Sequence, residues 1–191
     1  MPPGCAPNLR KGRPVIGKLV TEPALTRPDL LAPPVVEAFS AWPRANEVFV
    51  AAIDPTLADT AEFCAAYDVG LDVSANCVVV AGKREGETRY AACVILATTR
   101  ADVNNVVRKY LDVRKASFLS MAEAVEQTGM EYGGITPIGL PKGWPVLVDA
   151  RVPVIDQVII GSGVRHSKLV LPGAALAQLP GAEVIDELAR S

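Results

Sequence analysis

Five consecutive residues, Gly133, Gly134, Ile135, Thr136 and Pro137, have the types and spacing of a backbone site for an oxygen atom. They sit in the stretch MEYGGITPIGLPKGW, Met130–Trp144. The paired glycines reach φ > 0 and let another molecule approach bare backbone, while Pro137 and Pro141 fix φ and carry no N–H. A loop stiffened in this way can aim its remaining N–H groups at a carbonyl oxygen or nascent oxyanion without reorganising during reaction. The same residues also suit a plain connection between a helix and a strand. On spacing alone both readings stand.

Other chemistry-bearing residues are sparse. Gly161-Ser162-Gly163 offers flexible backbone donors suited to a phosphate or ribose, although a lone G-x-G opens no dinucleotide-binding unit. Cys77 lies among valines without an evident base, which reads as a small buried hydrophobe rather than a nucleophile. His166 is the only histidine; beside Arg165 and Lys168 it reads as a solvent-facing side chain, or as a general base without visible triad partners. Cys5, Cys64, Cys77 and Cys93 show no C-x-x-C spacing, so no metal site and no cofactor is expected.

The elements that must position these residues emerge after residue 45. Residues 1–45 hold nine of the sixteen prolines and read as a proline-rich extension packing on the domain. It opens with the basic cluster Arg10, Lys11 and Arg13 and includes a short helix over Val35–Trp42. Residues 46–191 then read as one domain, expected to fold without the extension. VFVAAI is a strand, Thr56–Tyr67 a helix, and Asn76–Ala81 and Tyr90–Ala97 are central strands, apolar on nearly every residue. Asp102–Leu111 is a helix with Val103, Val106, Val107 and Tyr110 inward, and Ala116–Leu119 a brief strand. Ser120–Gly129 carries a capping box at Ser120 and Glu123 and a glycine C-cap. Strands at Val146–Asp149, Gln157–Ile160 and Lys168–Leu171, a helix at Ala174–Leu179 and a short amphipathic tail complete the chain. Helices interleave with at least six strands without a regular βαβ repeat. The predicted fold is therefore α/β of α+β character, a curled or partly closed mixed sheet with surrounding helices.

Composition bounds the function. Half of the 191 residues are hydrophobic and the net charge is −2, which excludes broad, sequence-independent binding to DNA or other polyanions. No run approaches the roughly 20 apolar residues needed to span a bilayer, and no signal-peptide core follows Met1. With four scattered thiols, a cytoplasmic protein without a membrane partner is expected.

With the loop, the strand ending in Asp149 and the glycine loop assembled, the chain resembles the YbaK family, also called the prolyl-tRNA-synthetase-associated domain. The residues that carry the resemblance are AEAVEQTGMEYGGITPIGLP, WPVLVDARV and VIIGSGVRHSKLVLPGAALAQLPGAEVID, with ADTAEFCAAYDVG as a weaker match. It covers about residues 47–188, and its G-x-x-x-P element is Gly133–Pro137.

The resemblance implies a small α/β domain that hydrolyses the ester of mischarged aminoacyl-tRNA, free-standing or together with an aminoacyl-tRNA synthetase, without a metal. It places the backbone of Gly133, Gly134, Ile135, Thr136 and Pro137 beside the scissile ester. Asp149 is then a carboxylate for the aminoacyl ammonium or for a hydroxyl, or else a strand-end turn residue. Gly161, Ser162 and Gly163 are further substrate contacts, and Lys142, Arg165 and Lys168 are candidates for the acceptor-end phosphates of the tRNA. One departure stands out: the family's lysine in the strand after the first helix has no counterpart in GLDVSANCVVVA, residues 70–81. Asn76 and Cys77 lie near the vacated place. Asn76 either contacts substrate there or merely begins the strand. Two functions follow: an editing hydrolase, or a catalytically inactive module of the same fold that binds aminoacyl-tRNA or another ligand.

Overall fold

The two apolar runs after the second helix pair into one long antiparallel hairpin, because a strand buried on both faces needs apolar side chains at every position and a ladder on each edge. The computed structural model describes residues 13–191, so Arg10 and Lys11 of the basic cluster lie outside the described residues. In chain order the strands are β1 (Thr21–Pro23), β2 (Phe49–Ala52), β3 (Ala75–Arg84), β4 (Glu87–Leu96), β5 (Arg100–Ala101) and β6 (Ala116–Phe118). They continue as β7 (Val146–Asp149), β8 (Val158–Gly161), β9 (Ser167–Leu171), β10 (Ala182–Ile185) and β11 (Ala189–Arg190). The helices are α1 (Pro33–Ala41), α2 (Thr60–Tyr67), α3 (Arg108–Tyr110), α4 (Met121–Thr128) and α5 (Gly173–Leu176).

The β3–β4 hairpin is longer than the two runs predicted, closing on Glu85 and Gly86 at φ 53° and 88°. Both central residues at positive φ give the primed turn whose twist matches that of the flanking strands. The hairpin forms the middle of a five-stranded mixed sheet, ordered β10-β7-β4-β3-β6. A four-stranded antiparallel sheet, ordered β1-β2-β9-β8, meets it where Ser74 bridges Ile159 in parallel. A small β5–β11 pair closes the chain's end. The result is the predicted mixed α/β architecture, with separate open sheets and no closed barrel among the described residues.

Side-chain alternation along β8 and β9 divides the interior. Val158, Ile160, Leu169 and Leu171 face the main core with Val35, Phe39 and Trp42, from α1 and its end. Ile159 and Val170 face the opposite way, against Phe63 and Cys64 of α2. A third cluster packs Val103, Val107 and Leu111 on Val80, Cys93 and Ile95.

Two expectations change. The helix over Asp102–Leu111 is a π-helical turn at Val103–Val107 followed by the short α3: the Val107 N–H reaches back five residues to the Asp102 carbonyl at 3.2 Å. The Asp102 carboxylate meanwhile accepts the Asn105 N–H at 3.1 Å and pairs with Arg190, which fixes where the turn begins. The amphipathic tail, to which the sequence reading assigns no element, supplies β10, parallel to β7. Within the proline-rich segment, β1 extends the four-stranded sheet, and Leu30, Leu31, Val35, Phe39 and Trp42 are buried in the main core. The composition change near residue 45 is therefore not an edge of the core.

Candidate active site

Alternation places Lys168 on the same face of β9 as Val170, toward α2, although a charged residue in so apolar a strand would ordinarily be turned to water. Its side chain runs along the floor of a cleft of about 340 Å³. The walls are the start of α2 (Asp59, Thr60, Phe63), the start of β3 (Ser74–Val78), the end of β8 and the G-x-x-x-P loop, with Phe118 and Tyr132 at the cleft's edge. Lys168 is 7% exposed. Its Nζ donates to the Ala58 carbonyl at 2.8 Å and lies 5.3 Å from the centroid of the Phe63 ring. Burial draws the ammonium down to about 8, against a smaller opposing pull from Asp59 and Cys64.

The G-x-x-x-P loop reaches the cleft through Gly133 and Ile135. Neither N–H has a hydrogen-bond partner among the described residues. Gly134 does not offer its own donor: its N–H is bonded to the Glu131 carbonyl at 2.9 Å, and its carbonyl accepts the Gly163 N–H at 2.7 Å. A side chain on Gly134 would meet the Val164 backbone at 2.5 Å, and one on Gly161 would meet the Gly134 carbonyl oxygen at 2.3 Å. The glycines at 134 and 161 thus let two loops cross at backbone distance, tied by the Gly163 N–H. Thr136 is fully buried with Oγ1 unpartnered, and Pro137 lines a separate groove on the other flank of the loop.

Arg165 clasps this crossing from outside. Its Nη1 donates to the Tyr132 carbonyl at 3.2 Å and lies 3.4 Å from an Asp59 oxygen, its Nε donates to the Pro55 carbonyl at 3.3 Å, and its N–H donates to Glu131 Oε2 at 2.6 Å. Gly133, at φ 85°, leaves the space that the guanidinium fills. Asp59 stands at the N-terminus of α2 without capping it, since its carboxylate faces Arg165. Thr60 donates to Asn76 Oδ1 at 2.9 Å, fixing the amide so that its NH₂ group is left for another acceptor in the cleft.

The remaining candidates are placed elsewhere. Asp149 is buried outside the cleft, bidentate to Arg151 and accepting the Ala189 N–H at 3.0 Å. Burial alone would raise its carboxyl, but the bonds from Arg151 and Ala189 outweigh that and hold it below the ordinary carboxylate range. Ser162 is buried among the Val164 and Ser167 carbonyls and the Ser167 hydroxyl. Gly163 packs against Ala32 and Val35 of the α1 region. Lys142 lies in the separate groove with Pro137. His166 lines no part of the cleft, and its ring approaches the Asp29 carbonyl at 3.4 Å. Cys77 does line it, half-buried, with burial and then the neighbouring Cys93 pushing the thiol far above its ordinary value. A thiol so protonated is no nucleophile at neutral pH.

The structure therefore brings together Gly133, Ile135, Asn76, Gly161 and Lys168 and separates Pro137, Lys142 and Asp149 from them. Sequence reasoning missed Thr60, Phe63, Phe118 and Tyr132, and it put Lys168 among surface cations. The available signal was the single lysine within an apolar strand.

Comparison with known proteins gives this cleft its context. "Uncharacterized protein YwhH" of Bacillus subtilis (strain 168) is 27% identical over 146 residues, covering 76% of this chain and 88% of its own. The crystal structure of hypothetical protein APE2540 superposes with a TM-score of 0.71 at 23% identity, covering 82% of this chain and 99% of its own. A candidate trans-editing enzyme for prolyl tRNA synthetase gives a TM-score of 0.68 at 19% identity, covering 81% and 94%. These two likenesses establish the fold. The family model described as "Aminoacyl-tRNA editing domain" matches residues 54–179, a span that runs from the loop before α2 to the end of the α5 region and contains every wall of the cleft. The chain belongs to the aminoacyl-tRNA editing domain family.

Proposed function

We propose that the cleft hydrolyses the ester bond of mischarged aminoacyl-tRNA, acting in trans on the acceptor end. The observation that carries this reading is that one pocket sized for a small acyl group is lined by Gly133 and Ile135, whose N–H groups have no partner among the described residues, and by Asn76, whose amide NH₂ is left over. Water attacks the ester carbonyl carbon, negative charge develops on its oxygen, and the carbon–oxygen bond to the ribose breaks as the ribose oxygen takes up a proton. Donors already fixed by the loop crossing stabilise that oxyanion without reorganisation. An aminoacyl ester is reactive enough for positioning and oxyanion stabilisation to suffice. Aminoacyl-tRNA is the substrate, and a synthetase that makes the error is a natural second partner.

A panel of mischarged tRNAs tests this. Loss of at least one aminoacyl ester well above the buffer rate is expected. Ester persistence across the whole panel at high protein concentration would remove the hydrolase reading, and retained tRNA binding in that case would leave the inactive binding module, which the empty lysine position in β3 favours.

A further inference from the structure

Among the described residues Lys168 is the only buried lysine, and it has no ion-pair partner. An ammonium carries three donors. One is used by the Ala58 carbonyl, and the Phe63 ring faces the charge without accepting a conventional hydrogen bond. The titratable and charged groups around it are Asp59, Cys64 and Arg165, with Cys77 and Tyr132 also on the cleft wall. Asp59 is held by Arg165, beyond ion-pairing reach of Lys168, so the Asp59–Arg165 pair is close to neutral and one positive charge remains on the cleft floor. In the register Lys168 stands opposite Gly161, which has no side chain and is roofed by the carbonyls of Gly134 and Ile135. The absent side chain leaves the lysine stem beside the loop that carries the free N–H groups. Burying an uncompensated charge is unfavourable to folding, and a Met or Leu would fill the position without that cost.

We infer that Lys168 is a substrate-binding residue of the cleft, donating to an oxygen of the aminoacyl ester, and that its unneutralised charge excludes aminoacyl groups with cationic side chains. This rests on the reading of the cleft as the editing site. The donated bond is charge-assisted and strengthens as the ester oxygen gains charge. A cationic side chain in the same small cavity would meet like charge at low dielectric. Because burial brings the ammonium down to about 8, background-corrected activity falls as pH rises through that value; a neutral lysine acting as a base would give the opposite slope.

The test pairs hydrolysis with binding of amide-linked aminoacyl-adenosines, which cannot be hydrolysed. Lys168→Met is expected to lower kcat/KM by about 10²-fold on a substrate that wild type deacylates, to abolish the decline above pH 8, and to weaken binding of a neutral analogue at least about tenfold. Wild type is expected to bind the neutral analogue and to reject the lysyl analogue, while Lys168→Met narrows that gap. In wild type labelled with ¹⁵N-lysine, the Lys168 Nζ titration should move upward when the neutral analogue is added; this readout stands even where Lys168→Met fails to fold. Wild-type kcat/KM, pH profile and analogue affinity in a folded Lys168→Met, or an Nζ titration indifferent to bound analogue, would overturn the inference and leave the editing reading intact. Wild type that neither hydrolyses any ester nor binds any analogue would overturn both.

Discussion

A buried lysine is retained against its folding cost, and that cost is itself measurable. Since Lys168 titrates near 8 in the folded protein and near 10.5 when exposed, the unfolded chain binds more protons across that interval. Stability contributed through this group therefore rises with pH between those values and is lowest below them. Lys168→Met should unfold at the same or a higher temperature than wild type at pH 7, and should lack the relative gain that wild type shows between pH 8 and 10. Thermal melts of the two proteins across that range check it; a large destabilisation of Lys168→Met at pH 7 would mean the ammonium holds the fold together through the Ala58 carbonyl. The residue types of the site were legible in the sequence, but their partners were not. Lys168 and Arg165 both read as candidates for tRNA phosphates, yet alternation along β9 sends Lys168 into the cleft, while Arg165, in the loop before β9, clasps the loop crossing. Asp149 read, through the family resemblance, as a ligand for an ammonium; its partners are Arg151, two residues on, and the Ala189 N–H, which only the returning tail brings.

At the scale of elements, periodicity and caps were readable and close approaches were not. The α4 capping box and its Gly129 C-cap appear where Ser120, Glu123 and Gly129 place them, since both devices are local. The glycine pair of the G-x-x-x-P loop read as bare backbone for another molecule to approach, whereas the group against Gly134 is Val164 backbone, 30 residues on. Gly134→Ala should therefore destabilise by about 1–3 kcal/mol through overpacking. Gly86→Ala meets no atom and bears only the cost of positive φ, about 1 kcal/mol. Urea unfolding of the two variants compares them, and equal losses would mean that the loop crossing yields easily. In the proline-rich segment the prolines break periodicity, yet Pro33 and Pro34 start α1 where a short helix is expected. The segment's core contribution comes from Leu30 and Leu31 and from one face of α1 and its end, Val35, Phe39 and Trp42 at i, i+4 and i+7. Deleting residues 1–45 removes β1 and α1 from the main core and should abolish cooperative thermal unfolding. A cooperative melt of residues 46–191 would show that the remaining sheets repack without them.

Over the whole molecule the net charge of −2 hides an uneven distribution. Lys142, Arg165 and Lys168 do not converge: one lines the far groove, one is tied to carbonyls and Asp59, and one is buried. A different basic set, Lys83, Arg114 and Lys115, lines a groove that shares Phe118 and Leu119 with the cleft. Acidic Glu123 and Glu126 line it too, so the attraction is modest. Phe118 is 56% exposed and Tyr132 49%, two aromatic faces at the cleft's edge on which an unpaired terminal base can stack. We propose that the acceptor end enters past Phe118 with its phosphates along this groove. Lys115→Glu should then weaken tRNA binding and lower the slope of log affinity against log salt by about 1, whereas Lys142→Glu should change neither. Phe118→Ala should cost about 1–3 kcal/mol of binding with little effect on the salt slope, because stacking releases no counterions. Fluorescence titrations of labelled tRNA from low to moderate salt separate the two effects. A salt slope that responds to Lys142→Glu and ignores Lys115→Glu would move the path to the far groove, on the other flank of the G-x-x-x-P loop.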